Sequence, residues 1–310
     1  MRKDLIRKYI WLIDTINQAG SEGITFARIA EKWKSNNLLS KGSEYAWRTF
    51  MNHKDDVYEL FGIQIECRKS DNTYHIADRR ELKDATGFKR WVFDALSLSN
   101  QLSESSALRD RILLEPNPSG GEFLSIILEA MRDNCTIMFD YHPFWMEGKV
   151  SHYFNVEPYA LKVFKRRWYL LGKYGKEKLK VYALDRMQNV DIEFNHFELP
   201  KGFCAEEFFS TCFGIIVGDE EPQPIKLKVA AQQAHYLRTL PLHHSQKEVE
   251  CTDKYSVFTY FLRLTFDFRQ ELLTMGDRVE VMEPQSLRKE MASIGRAMAK
   301  AHAGTAKKGK

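Results

Sequence analysis

Arg48 and Asn52 are the first residues in the chain whose types and spacing carry a specific chemistry. They stand four residues apart, so on a helix they share one face. Arginine matches the paired acceptors of guanine, and asparagine matches the donor–acceptor edge of adenine. Tyr45, Thr49 and Lys54, with Arg68 and Lys69 further on, supply hydroxyl and cationic groups suited to phosphate oxygens. A second constellation lies mid-chain, where Lys162, Lys165, Arg166, Arg167, Lys173, Lys176, Lys178 and Lys180 face one acid within that window, Glu177. Aromatic residues interleave with this run, and cations beside rings combine phosphate neutralisation with stacking.

Other chemistries lack their signatures. No Gly-x-x-x-x-Gly-Lys loop, Gly-x-Ser-x-Gly elbow or His-Glu-x-x-His helix occurs. His243-His244 and the scattered acids show no metal-ligand spacing. Asp140, His142 and His152 are too isolated in sequence to define a hydrolytic site, so no catalytic residue, metal or cofactor is expected. Five cysteines without a Cys-x-x-Cys pair read as buried free thiols.

The elements that position these residues follow from periodicity. Leu5, Ile6, Tyr9, Ile10, Ile13 and Ile16 predict a first helix ended by Gly20, and Phe26, Ile29, Ala30 and Trp33 a second. A third is predicted from Ser43 to Phe61, stopped by Gly62, with Ala46, Trp47, Phe50, Val57, Leu60 and Phe61 inward and Glu44, Tyr45, Arg48 and Asn52 outward. Two short strands, 63–67 and 73–76, flank a polar turn. Three helices and a hairpin predict a winged helix-turn-helix over 1–79 that binds a double-stranded DNA operator. Glu44, Asp55 and Glu59 lie on or near the readout face and oppose phosphate. Residues 1–79 hold thirteen basic against eleven acidic side chains, so the basic excess falls mid-chain.

Phe88, Trp91, Val92, Leu96 and Leu98 predict a helical linker over 80–120, closed by the Pro116-Asn117-Pro118-Ser119-Gly120-Gly121 cluster. A helix at 122–132 precedes β-rich runs at 136–141, 153–158, 159–164, 168–171 and 181–184, which predict a small bent sheet or barrel over 121–197. Beyond it, 206–302 mixes strands at 225–230 and 257–262 with helical stretches, a compact α+β unit, and 303–310 reads as a frayed tail. The expected class is multidomain α+β. No secretory leader or apolar span is apparent, so a cytoplasmic protein away from the membrane is expected.

Trp168-Tyr169-Leu170, preceded by Glu157-Pro158-Tyr159-Ala160-Leu161 and Arg166-Arg167 and followed by Val181-Tyr182-Ala183-Leu184-Asp185-Arg186-Met187, resembles the WYL domain in order and spacing. Arg269-Gln270-Glu271-Leu272-Leu273 through Glu283-Pro284 and Leu287-Arg288 resembles the C-terminal extension that accompanies it. The resemblance implies an Sm-like, SH3-type barrel that senses an anionic effector, a single-stranded nucleic acid or nucleotide, in a homodimeric transcriptional regulator. It implies ligand roles for Tyr141, Tyr169, Arg167 and Arg186, with His152 near a polar contact. Lys180 stands where the family commonly has arginine, keeping the charge without the planar fork. By strand alternation Trp168 and Leu170 share the core face and Tyr169 the ligand side. Two other readings follow from the residues: an accessory RNA or single-stranded DNA binder whose N-terminal domain contacts protein, and a metal-dependent nuclease.

Overall fold

The structure is a computed structural model and describes residues 2–77, 92, 94–99, 102, 110–113, 115, 118–144 and 148–303. The chain divides into two compact units, residues 1–115 and 116–310. Phe88, Trp91, the Pro116-Asn117 pair and the tail from Gly304 lie outside the described residues.

The first unit is built on α1 (Arg2–Gln18), α2 (Phe26–Ser35), α3 (Asn37–Ser40) and α4 (Trp47–Phe61). Tyr9, Leu12, Ile13 and Ile16 of α1 meet Ile29 and Trp33 of α2 and Phe50 and Val57 of α4 in one buried cluster. The Thr25 hydroxyl caps α2 by accepting the Arg28 N–H at 3.4 Å. Gly62, at φ 64°, ends α4 in the left-handed turn that glycine adopts without strain. Two predicted strands become three: β1 (Ile24–Thr25) joins β2 (Ile65–Arg68) and β3 (Thr73–Ile76) in the order β1-β3-β2. The third helix begins at Trp47 and not at Ser43, because Ala46 is extended. Trp47 and Leu60, expected inward, are 51% and 61% exposed. Residues 94–99 are helical and belong to this unit, where the Ser97 hydroxyl donates to the Asp14 carboxylate.

In the second unit, α5 (Leu124–Asp133) lays Ile127 and Ala130 against a five-stranded antiparallel sheet. Its strands are β4 (Cys135–Tyr141), β5 (Ser151–Phe164), β6 (Arg167–Tyr174), β7 (Lys180–Ala183) and β8 (Met187–His196), ordered β7-β6-β5-β4-β8. The runs 153–158 and 159–164 form one long strand that crosses the sheet. β8 carries no signal among the runs read from sequence. Register shifts between Ile137 and Phe139 and between Pro158 and Ala160 mark bulges, which bend a sheet. Among the described residues no ladder joins the edge strands β7 and β8.

After α6 (Ala205–Phe209), the chain continues as β9 (Gln223–Ala230), α7 (Ala231–Thr239), β10 (Lys247–Cys251), β11 (Tyr255–Leu262), α8 (Phe266–Thr274), β12 (Val279–Glu283) and α9 (Gln285–His302). The strands order as β10-β11-β9-β12, so the two strands read from sequence are the central pair. Edge strands alternate less cleanly: all five residues of β10 are exposed. Leu237, Phe268, Leu272 and Leu287 fill the core between this sheet and its helices. The segment between the two sheets is held from both sides: Asp267 at the start of α8 accepts the N–H groups of Ile215 at 3.1 Å and Ile216 at 3.4 Å, and Lys162 of β5 donates to the Gly214 carbonyl at 2.6 Å.

Of the cysteines expected to be buried, Cys135 and Cys212 are; Cys67, Cys204 and Cys251 are exposed. No helix among the described residues is long and apolar enough to cross a membrane.

Candidate effector cleft and nucleic-acid interface

The turn Leu184–Arg186 between β7 and β8 is pinned from one side by residues 119–120. Ser119 donates its N–H to the Arg166 carbonyl at 3.1 Å and accepts the Trp168 N–H at 3.2 Å, and its hydroxyl reaches Asp185 Oδ2 at 3.1 Å. Gly120 has φ 83°, and a Cβ there would lie 2.5 Å from the Leu184 Cβ, so only glycine allows this approach. Arg167 completes the clamp with an ion pair to Asp185 Oδ2 at 3.3 Å.

On the other side of the turn is a cleft of about 600 Å³ lined by His142, Pro143, Phe144, Gly148, Lys149 and Asp185 through Gln188. The Arg186 guanidinium lies 3.6 Å from the centre of the Phe144 ring, and that of Arg167 lies 5.9 Å away. Three polar atoms in these walls, His142 Nε2, Asp185 Oδ1 and Arg186 Nε, are buried without a hydrogen-bond partner. Orphaned buried groups are uncommon and cost free energy.

The expected ligand residues divide. Arg186 lines the cleft, and Arg167 is held in the clamp, 5.9 Å from the Phe144 ring. Tyr169 is buried at 8% exposure, and not presented on an open face; burial raises its phenol pKa while Arg167 and Arg186 lower it. Trp168, expected in the core, is only half-buried. Tyr141 is likewise a core residue: its ring packs edge-on to Tyr182 at 5.6 Å and its hydroxyl accepts the Ala183 N–H at 3.2 Å. Lys180 stands at the far end of β7 from Arg186 and is ion-paired with Glu177. His152 is exposed, with Nδ1 2.5 Å from Asp140 Oδ1, and Asn189 donates to the other oxygen at 2.7 Å. Asn189 first, then His152, hold the Asp140 carboxyl below its ordinary range.

The basic run is largely spoken for. Lys165 pairs with Glu271 at 2.8 Å, Lys173 with Glu157 at 3.5 Å and Lys178 with Asp219 at 2.8 Å. Lys162 sits 4.1 Å from the Phe209 ring, and burial lowers its pKa. Phe144 and Lys149 are cleft residues without a sequence signal of their own, since this side of the cleft is made by a loop.

On α4, Arg48, Thr49 and Asn52 are exposed, and Arg48 has no acid partner among the described residues. Lys54 pairs with Asp55 at 3.4 Å. Arg68 is tied to its own turn, to Asp71 at 3.2 Å and the Ser21 carbonyl at 2.5 Å, while Lys69 is exposed. Tyr45 is not on this face: it precedes the helix, is 4% exposed, stacks on Trp33 at 4.7 Å and shares a 2.8 Å hydrogen bond with His53 Nδ1. Burial raises the Tyr45 phenol pKa and, with Lys8 nearby, lowers that of the His53 imidazole. Among the described residues no three His, Cys, Asp or Glu side chains are placed to hold a metal ion.

Residues 122–192 match the WYL domain and residues 221–299 match the WCX domain, so the chain contains both. No curated protein matches the chain. Among solved structures it is similar to proteasome accessory factor B/C (PafBC) of Arthrobacter aurescens, at 19% identity and TM-score 0.40, over 99% of this chain and 50% of that one. It is also similar to a CRISPR Cas-related protein, at 12% identity and TM-score 0.42, over 82% of this chain and 72% of that one. The chain thus spans about half the length of the PafBC chain.

Proposed function

We propose that the chain is a ligand-responsive, DNA-binding transcription regulator. In this reading the first unit is a winged helix-turn-helix, with α4 as recognition helix and the β2–β3 hairpin as wing. The WYL domain is an Sm-like barrel whose cleft at Arg186 takes an anionic effector, a nucleic acid or nucleotide. The chain acts as a cytoplasmic homodimer, without catalysis. The observation that carries the reading is the exposed side of α4, where Arg48 and Asn52 stand one turn apart and Arg48 lacks an acid partner among the described residues. Those two side chains suit guanine and adenine edges, and Thr49 and Lys69 suit phosphates.

Selection of duplexes from a random pool with the full chain tests this. A single enriched motif is expected, with Arg48→Ala and Asn52→Ala each weakening it about tenfold or more. No enrichment, or unchanged affinity in both folded variants, overturns the reading. The exposed Glu44, Asp55 and Glu59 favour a second reading, in which the first unit contacts protein and the WYL domain captures RNA or single-stranded DNA. Loss of duplex binding with retained single-strand binding would point there.

A further inference from the structure

β7 pairs with β6 from Tyr169, opposite Ala183, to Gly172, opposite Lys180. Upstream of Tyr169 the same strand is met by Ser119, in a parallel bridge to Arg167 made by the backbone hydrogen bonds to Arg166 and Trp168. Groups at a sheet edge need partners, and here one added residue supplies them. A bridge of two hydrogen bonds opens far more readily than a strand does.

This bridge is fastened to the turn that carries Arg186. Gly120 lies against Leu184 too closely for any Cβ, and the Ser119 hydroxyl shares Asp185 Oδ2 with Arg167. The Arg166 carbonyl that receives Ser119 comes from a two-residue turn, Lys165-Arg166, with φ of 44° and 61°. That left-handed pair costs non-glycine residues free energy. Asp185 Oδ1 and Arg186 Nε stay buried without partners in the same arrangement. Strain and orphaned groups raise the free energy of the closed form, so a second arrangement of the turn competes with it. Arg186 joins the two sides: its guanidinium rests on Phe144 in the cleft, while the preceding residue, Asp185, holds Ser119.

We propose that residues 119–120 are a latch, closed in this structure, which opens when the turn Leu184–Arg186 moves and so passes occupancy of the cleft to the chain segment leading back to the first unit. An anion that draws the Arg186 side chain off Phe144 shifts the turn, and the Asp185 carboxylate leaves Ser119 with it. This rests on the reading of the chain as an effector-responsive duplex binder and adds the element that carries the response. Coupling between sites is reciprocal, so opening the latch by substitution alters duplex affinity with no effector present.

The test compares the full-length wild type with Ser119→Ala, which loses the hydroxyl bond, Ser119→Thr, which keeps it, and Gly120→Ala, which wedges the segment off Leu184. Amide hydrogen exchange at Ser119 and Trp168 should speed up about fivefold or more in Ser119→Ala and Gly120→Ala, the scale of one hydrogen bond, and not in Ser119→Thr. Affinity for the duplex selected by wild type should shift about fivefold or more in the same direction in both open variants, and Ser119→Thr should match wild type. A saturating mixed-sequence single-stranded hexanucleotide or inorganic polyphosphate should shift wild type in that direction and leave the open variants unmoved. Where Gly120→Ala melts the second unit, as circular dichroism would show, Ser119→Ala carries the test. Fast exchange with wild-type duplex affinity, or unchanged exchange in the folded variants, overturns the latch and leaves the regulator reading standing. Open variants that shift while neither probe acts on wild type support the latch and refute those probes as effectors. If wild type selects no duplex, the regulator reading falls and the latch falls with it.

Discussion

Tyr45 and His53 share a hydrogen bond of 2.8 Å inside the first unit, joining the extended segment before α4 to the second turn of that helix. Tyr9 packs edge-on to His53 at 5.2 Å and donates to Asp56 at 2.5 Å, so three elements converge on one buried polar group. The aim of α4 depends on this junction. Tyr45→Phe keeps the stacking on Trp33 but leaves His53 Nδ1 buried without its partner, at a cost of about 1–3 kcal/mol. A fall of several degrees in the melting transition of the first unit is expected by calorimetry. An unchanged transition would mean that the bond contributes nothing.

His243 gives the second unit a pH dependence. It is 7% exposed, and burial first and then His244, whose ring is 4.0 Å away, lower its pKa from 6.5 to about 4. A lowered histidine pKa means that the unfolded chain binds the proton more tightly than the folded one. Stability is therefore fully present above about 6.5 and declines as pH falls from there toward about 4. The decline attributable to this residue is on the order of 2–3 kcal/mol. Denaturant titrations at pH 7 and pH 4.5 should show it in wild type and a smaller difference in His243→Gln; identical differences would exclude His243 as the source.

Asp267 anchors the segment at Ile215 and Ile216, which runs between the two sheets of the second unit. It is 6% exposed and accepts from the Ile215, Ile216 and Phe268 N–H groups and from the Thr265 hydroxyl at 2.5 Å. Replacing it by alanine strands several buried donors, so Asp267→Ala should destabilise by about 3 kcal/mol or more. Hydrogen exchange should speed up at the Ile215 and Ile216 amides before it does in the core of β9. Unchanged protection at both amides would refute the assignment.

What the sequence disclosed and what it withheld divide along a physical line. Gly62 and Thr25 act locally, through the helix they end or begin, and both ends are legible from residue type. The apolar spacing of Tyr9, Ile13 and Ile16 is equally local and all three are buried. Tyr45 falls outward on an ideal helical projection, but Ala46 is extended and the helix starts only at Trp47, which leaves Tyr45 free to turn into the core. The basic run from Lys162 looks unpaired within its own window, yet Glu271, Asp219 and Glu157 reach it across the fold. Phe144 acquires meaning only once the turn carrying Arg186 is brought beside it.

If α4 binds duplex DNA, Trp47 is placed to touch it. It is the first residue of that helix, beside Arg48 and Thr49, and is 51% exposed. Phe26 meets its ring edge-on at 4.9 Å and Phe50 lies 5.6 Å away, so it is braced against movement. An aromatic surface at the start of a recognition helix is suited to the thymine methyl group, the apolar feature of the major groove. Covering one methyl is worth about 0.8 kcal/mol, or roughly fourfold in affinity. In the duplex selected by wild type, replacing thymine by uracil at one position should weaken binding by that factor, and Trp47→Ala should abolish the difference. If the variant still discriminates thymine from uracil at every position, Trp47 does not read the methyl group.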